Sequence, residues 1–325
     1  MGELHDQLKL FGTERVLELA VKEGAPRTEI RAIRAAADLL LPPSSEDLNF
    51  LHSGLCQTAL PHSRPADNAR PWMRRSGALR LIVTPGVATD EQSGEAEYLG
   101  VPFGAKARLI MIYLQTEGVR SRFVPLGRSM SSWIRSLGLP VTGGRRGTIP
   151  VIKEQVLRIA NCGLKLEWES ERDGGRVQGM RKTEIVRGLS MWAEQPGQET
   201  WPEEVELSEE FHEHLKAHAV PLDRRAIAHL AGTSLGLDLY TMCAYRLPRL
   251  ERPLFLTWRE LMTQLGSEIA ATDNFAKKVR NALPHVAAVY PGARIEPQSK
   301  GLMLKPSAPA VEGRRSVVVK ALPRD

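Results

Sequence analysis

Met130-Ser-Ser-Trp133-Ile134-Arg-Ser-Leu137-Gly138 and Trp258-Arg-Glu-Leu261-Met262-Thr-Gln-Leu265-Gly266 write one pattern twice. In each, four apolar residues stand at i, i+3, i+4 and i+7 and a glycine follows. That spacing predicts a short helix closed by a tight turn. Before both copies come an apolar helix and a short β-rich run; after both come a basic amphipathic helix and two strand-like runs. Helix, strand, helix, turn, helix and two-stranded wing is the order of a winged helix, a helix-turn-helix variant suited to duplex DNA. The expected fold is α+β and helix-rich, with two tandem winged-helix (helix-turn-helix) domains and an N-terminal extension.

Composition agrees with a nucleic-acid partner. The chain of 325 residues has room for about two domains, and its 42% apolar residues supply cores for both. A net charge of +6 favours a polyanion, while only 6% aromatic residues argue against a stacking platform for single strands. The first ten residues carry Glu3 and Asp6 and no basic segment leading into an apolar core, so a secretory signal is not expected. No run approaches the roughly 20 apolar residues of a spanning helix, and no membrane role is expected. Cys56, Cys162 and Cys243 are widely spaced and form no Cys-x-x-Cys pair, as expected of reduced thiols in a cytoplasmic protein.

Four segments are expected. Residues 1–97 form an extension, with helices at Glu14–Val21 and Arg27–Leu41, the second stopped by Pro42 and Pro43, and then an extended collar with one strand at Leu79–Val83. Residues 98–195 form the first winged helix. Its helices are expected at Ala105–Thr116, Ser129–Leu137 and Ile149–Asn161, its first strand at Arg122–Leu126, and its wing at Leu164–Glu169 and Val177–Ile185 around Asp173-Gly174-Gly175. A hinge falls between Met191 and Glu204. Residues 203–306 form the second winged helix, with an edge strand at Val205–Leu207 and helices at Glu209–Ala219, Arg224–Ala231 and Leu235–Tyr245. After a strand at Pro253–Leu256, Thr257 and Glu260 have capping-box spacing. A helix at Asn274–Leu283 ends at Pro284, and Ala293–Ile295 with Leu302–Leu304 make the wing. Residues 307–325 are a tail.

The second helix of such a turn motif enters the major groove, so its two faces must differ. At about 100° per residue, Phe275, Val279, Ala282 and Leu283 share one side, and Asn274, Lys277, Arg280 and Asn281 share the other, with Lys278 also a DNA-facing candidate. Arginine grips guanine and asparagine grips adenine through paired hydrogen bonds, while lysine suits phosphate. The alternative is an ordinary solvated face. In the first copy Ile152, Val156 and Ile159 make the apolar stripe, with Lys153 at its margin and Glu154, Arg158 and Asn161 opposite. Glu154 and Arg158 also have the spacing of a structural ion pair. Ahead of this helix, Arg145, Arg146 and Thr148 sit at an N-terminus that favours phosphate. The loop lacks the Gly-Lys-Ser/Thr ending of a nucleotide-binding P-loop.

Other chemistries are weaker. His214 and His218 share a helical face, but His212 does not and no third ligand is near in sequence, so no metal is expected. A rolling-circle nickase would need a His pair around an apolar residue, where this chain has Glu213. No nucleophile-and-base or paired-carboxylate spacing stands out, so no enzyme, catalytic residue or cofactor is expected. Trp133 and Trp258 share the apolar faces and are expected as core anchors.

Together these residues resemble the plasmid RepA-type replication initiators. The likeness is carried by Gly100-Val-Pro-Phe-Gly-Ala-Lys-Ala-Arg108 with Tyr113 to Glu117, Leu126-Gly-Arg-Ser-Met-Ser-Ser-Trp133 and Thr142-Gly-Gly-Arg-Arg-Gly147. Val220-Pro-Leu-Asp223, Ser234-Leu-Gly-Leu-Asp-Leu-Tyr240 and Leu256-Thr-Trp-Arg-Glu-Leu261 continue it. The resemblance implies binding of double-stranded DNA at tandem repeats, the iterons of a plasmid origin, and opening of an adjacent A·T-rich segment. It implies recruitment of the host replication initiator and replicative helicase, and autorepression at the chain's own promoter by a homodimer. The contrasting reading is a dedicated transcriptional repressor with no part in replication.

Overall fold

The computed structural model describes residues 3–89, 94–172, 175–192, 201–266 and 271–311. It opens with helices α1 (Glu3–Phe11), α2 (Thr13–Lys22) and α3 (Arg27–Asp38). Next come β1 (Leu48–His52), α4 (Ser53–Gln57), β2 (Trp72–Ser76), β3 (Leu79–Thr84), β4 (Gly86–Thr89) and β5 (Ala96–Gly100). The middle holds α5 (Gly104–Gly118), β6 (Phe123–Pro125), α6 (Met130–Ser136), α7 (Thr148–Asn161), β7 (Gly163–Arg172), β8 (Gly175–Glu184), β9 (Val186–Trp192) and β10 (Trp201–Leu207). The remainder is α8 (Glu209–His218), β11 (Ala219–Asp223), α9 (Arg224–Leu230), α10 (Ser234–Arg246), β12 (Leu254–Thr257), α11 (Trp258–Leu265), α12 (Thr272–Val289), β13 (Ile295–Pro297) and β14 (Gly301–Leu304).

The fold is α+β, in two compact units. Among the described residues, one unit is Phe50–Ala219, and the other joins the chain up to Asn49 to the stretch from Val220 onward. This division differs from the four consecutive segments expected, because α1, α2 and α3 close over α12. Their apolar residues Leu8, Val16, Ala20, Ala32, Ile33 and Ala36 form one cluster with Ala288.

Each unit contains the repeated order with a three-stranded antiparallel sheet. In one the sheet runs β12-β14-β13, with Leu254 opposite Leu304 and Ile295 opposite the same Leu304. In the other it runs β6-β10-β9, with Val205 opposite both Val124 and Leu189. The strand before the short helix therefore pairs with the last strand in both. The run containing Val205–Leu207, expected at an edge, is instead the middle strand β10.

The strands expected to make the first wing form the hairpin β7–β8, but it joins β3 rather than β6, giving a sheet β2-β3-β7-β8. The reason is a shared apolar face: Leu81 faces Leu166 and Val83 faces Leu164, and all four side chains are buried. The collar expected over residues 44–97 likewise contains β1 to β5 and α4. In β3, buried Leu79, Leu81 and Val83 alternate with Arg80, Ile82 and Thr84, and β2 pairs against it. Of the expected hinge, Met191 and Pro202 are paired in β9 and β10; residues 193–200 lie outside the described residues, as do the hairpin turn 173–174 and the tail from 312.

The two closing glycines work differently. Gly138 has φ +75°, the left-handed turn expected after α6. Gly266 has φ −65°, and a side chain there would meet the Met262 carbonyl at 2.3 Å, so close approach demands glycine. Pro284 does not end α12, which runs on to Val289. A proline inside a helix costs about 3 kcal/mol. Buried Val286 and Val289 beyond it each contribute about 1.5–3 kcal/mol, enough to offset that cost.

Two histidines tie this packing to pH. Buried His5 donates through Nε2 to the Ala288 carbonyl at 3.0 Å, and burial holds its pKa below the usual histidine value. His229 is lowered to about 4, chiefly by burial and further by Arg31 and His285. Both folded-state values lie below the unfolded one, so their contribution to stability is complete above about pH 6.5 and is lost as pH falls, for His229 toward about 4. The unfolding midpoint is expected to fall between pH 7 and pH 5, and His229→Gln to reduce that fall; an unchanged pH dependence would contradict the assignment.

Candidate nucleic-acid interface

In α12 the apolar stripe behaves as its period predicts. Phe275, Val279 and Leu283 are buried, and Asn274, Lys277, Lys278, Arg280 and Asn281 are exposed. The helix packs on α10, α11, α9 and α3. Its C-terminal half is covered by the N-terminal helices: Asn281, Pro284 and His285 line a groove of about 630 Å³ with Leu4, Phe11 and Glu29. The part open to a large ligand is therefore the first half, from Thr272 to Arg280; Asn281 is exposed but lines the groove.

Next to that half lies the turn between β13 and β14, where Gln298, Ser299 and Lys300 are exposed. Trp258, the first residue of α11 and 5% exposed, anchors it: its Nε1 donates to the Ser299 carbonyl at 2.9 Å and its backbone N to the Lys300 carbonyl at 3.2 Å. The expected capping box forms, with Thr257 N donating to Glu260 Oε2 at 2.7 Å and Glu260 N to Thr257 Oγ1 at 3.2 Å. The Thr257 hydroxyl also donates to Glu260 Oε2 at 2.7 Å, and this bond together with that from the Thr257 amide holds the Glu260 carboxyl below its usual pKa. Lys300 belongs to this surface and was not among the sequence-derived candidates. Its signal was a lone cation between the two runs expected to make the wing.

The first copy presents less. Arg145 and Arg146 are exposed on the glycine-rich turn, but Thr148 is buried. Thr148 N donates to Thr142 Oγ1 at 2.9 Å, Ile149 N to the Thr142 carbonyl at 3.2 Å, and Pro150 has no N–H. The start of α7 is thus satisfied internally, leaving the two guanidiniums rather than the helix amides to meet a phosphate. Lys153 is partly exposed.

Arg158, expected on the polar face, turns inward and is 2% exposed. Its Nε donates to Glu154 at 2.9 Å, Nη1 to the Val101 carbonyl at 3.0 Å and Nη2 to Asn68 at 3.3 Å, and it stacks on Phe103 at 5.0 Å. A side chain at Gly100 would strike Nη1 at 2.2 Å. Burial lowers the Arg158 pKa, and Glu154 opposes that shift. The ion-pair alternative describes Arg158; DNA contact does not.

Elsewhere, His52 comes within 2.7 Å of His214 and stacks on it, and the His218 ring lies tilted against His214 with ring centroids 4.2 Å apart. Sequence reading missed His52 because it lies 162 positions from His214. Among the described residues, no group of three or more His, Cys, Asp or Glu is placed to hold a metal. All three cysteines are buried, and burial pushes the Cys162 and Cys243 thiols up to about 12, which suits core residues rather than nucleophiles. No helix among the described residues is long and apolar enough to cross a membrane.

Residues 101–259 match the family model described as plasmid encoded RepA protein. No curated protein matches the chain. Among solved structures it is similar to selenomethionine derivatives of domains 2 and 3 of RctB, with 13% identity and a TM-score of 0.49, over 80% of this chain and 98% of that one. A second structure, of RctB domains 2-3, matches with 13% identity and a TM-score of 0.45, over 76% and 92% of the two chains.

The buried Arg158 network separates packing from ligand contact. Arg158→Met leaves the Val101 carbonyl without this donor and leaves Glu154 to Arg64 alone, and should lower the stability of its unit by about 1–3 kcal/mol. Chemical denaturation checks the loss; wild-type stability in the variant would place Arg158 outside the packing that α7 needs.

Proposed function

We propose that this chain, whose residues 101–259 match the family model described as plasmid encoded RepA protein, is a replication initiator acting by DNA binding and deformation rather than covalent chemistry. Both copies of the repeated order are winged helices. The three-stranded sheets β6-β10-β9 and β12-β14-β13 support this, each joining the strand before the turn motif to the strands after it. The observation that carries the reading is the open half of α12, where Asn274, Lys277, Lys278 and Arg280 are exposed above a buried stripe, with exposed Asn281 next in line at the edge of the groove.

In this reading α12 enters the major groove of double-stranded DNA at the origin iterons. Asn274, at its first turn, reads an adenine edge, and Lys277 and Lys278 hold phosphates. Arg145 and Arg146 clamp backbone from the first winged helix, with Lys153 beside them; Thr148 supports their turn. Two such modules in one chain suit a direct repeat, and several protomers bending neighbouring repeats lower the cost of opening adjacent A·T-rich DNA. The host replication initiator and replicative helicase then load on the opened strand. A homodimer of the chain represses its own promoter.

Asn274→Ala should cost about 1–3 kcal/mol on the specific site and relax preference at one base pair, whereas Arg145→Ala should weaken specific and random DNA alike and reduce the salt slope by about 1. Titration of labelled duplexes at several salt concentrations checks both; equal losses on both duplexes for Asn274→Ala would remove it from base reading. For the initiator role, a plasmid carrying the gene's flanking repeats should replicate only when the chain is supplied. Replication without it, with only transcription changed, would mean a repressor.

A further inference from the structure

Arg280 is exposed, yet it does not extend freely from α12. Its guanidinium carbon lies 4.7 Å from the Trp258 ring centroid. Its Nη2 donates to the Gln298 carbonyl at 3.3 Å and reaches the Ser299 carbonyl at 3.5 Å. That Ser299 carbonyl also accepts from Trp258 Nε1. The turn closes on itself through Gln298 N to the Gly301 carbonyl at 2.8 Å, and Gly301 pairs with Thr257 of β12. The turn is thus held by β12, by the start of α11 and, through Arg280, by α12.

We propose that Arg280 is a positioning residue that fixes the Gln298–Lys300 turn against α12, acting through Trp258 and the Gln298 and Ser299 carbonyls. Lys300 and the side chains of Asn274 and Lys277 are thereby presented as one surface. The proposal rests on the reading that α12 contacts DNA, and it adds the turn, with Lys300 as a phosphate contact. A guanidinium suits the task because it lies flat on an indole while donating hydrogen bonds in its own plane. An ammonium is a point charge and does not do both. The Arg280 donors not turned toward the carbonyls remain available for a base edge, so positioning and reading coexist in one side chain.

Two measurements on the full chain test this. In hydrogen exchange of the free protein, Arg280→Ala and Arg280→Lys should both speed exchange at residues 298–301 and leave residues 275–283 of α12 unchanged. In a double-mutant cycle on the chain's specific duplex, Lys300→Ala should weaken binding in the wild-type background and have little effect in Arg280→Ala, a coupling of about threefold or more. Unchanged exchange at the turn overturns the proposal whatever the cycle gives. Additive losses overturn the single surface. Faster exchange with no effect of Lys300→Ala in the wild-type background supports positioning and removes the turn from the DNA contact, while the α12 reading is judged separately by Asn274→Ala.

Discussion

The indole of Trp258 is the contact on which the candidate reading surface depends. It sits where three elements meet: the end of β12, the start of α11 and the turn before β14. Its ring is buried with the core of its unit, while its Nε1 and backbone N hold the Ser299 and Lys300 carbonyls. A tryptophan has the area to anchor a helix and a donor to orient a neighbour, and both properties act here. The capping box at Thr257 and Glu260 sets the helix start, so the indole projects at a defined angle. Once α11 is fixed, α12 packs against it with Phe275 and Val279 buried, and its polar face has one direction left.

The first copy shows what the same plan becomes when polar groups turn inward. Trp133 is buried and meets Tyr113 edge-on at 5.6 Å, and the Tyr113 hydroxyl donates to the Pro125 carbonyl at 2.6 Å. Along α7, however, Arg158 is drawn into the core and Arg64 pairs with Glu154 at 2.6 Å on the outside. Net positive charge on that helix face is therefore low, and Arg145 and Arg146 on the preceding turn carry it instead. The copies share an order of elements and differ in what they expose: α12 presents varied hydrogen-bonding side chains, and the turn before α7 presents charge.

The parts legible in the sequence were those governed by neighbours a few positions away. Phe275, Val279 and Leu283 recur at the helical period, and Thr257 and Glu260 cap a helix within one turn. What escaped was decided by distant partners. Nothing near β6 says that β10 will pair with it, nor that β7 will find β3. Arg158 looks solvated until Gly100 and the Val101 carbonyl are brought beside it. Pro284 obeys a local rule that burial of Val286 and Val289 overrides. The N-terminal helices, read as an extension, are apolar along one face because α12 receives them.

The central claim is that this surface recognises repeated duplex sites. Footprinting of the full chain on the DNA flanking its own gene tests it most directly. The account predicts protection of tandem direct repeats spaced in step with the roughly 10.5 bp helical turn. Protection of a lone inverted repeat, or of no defined site, would contradict it.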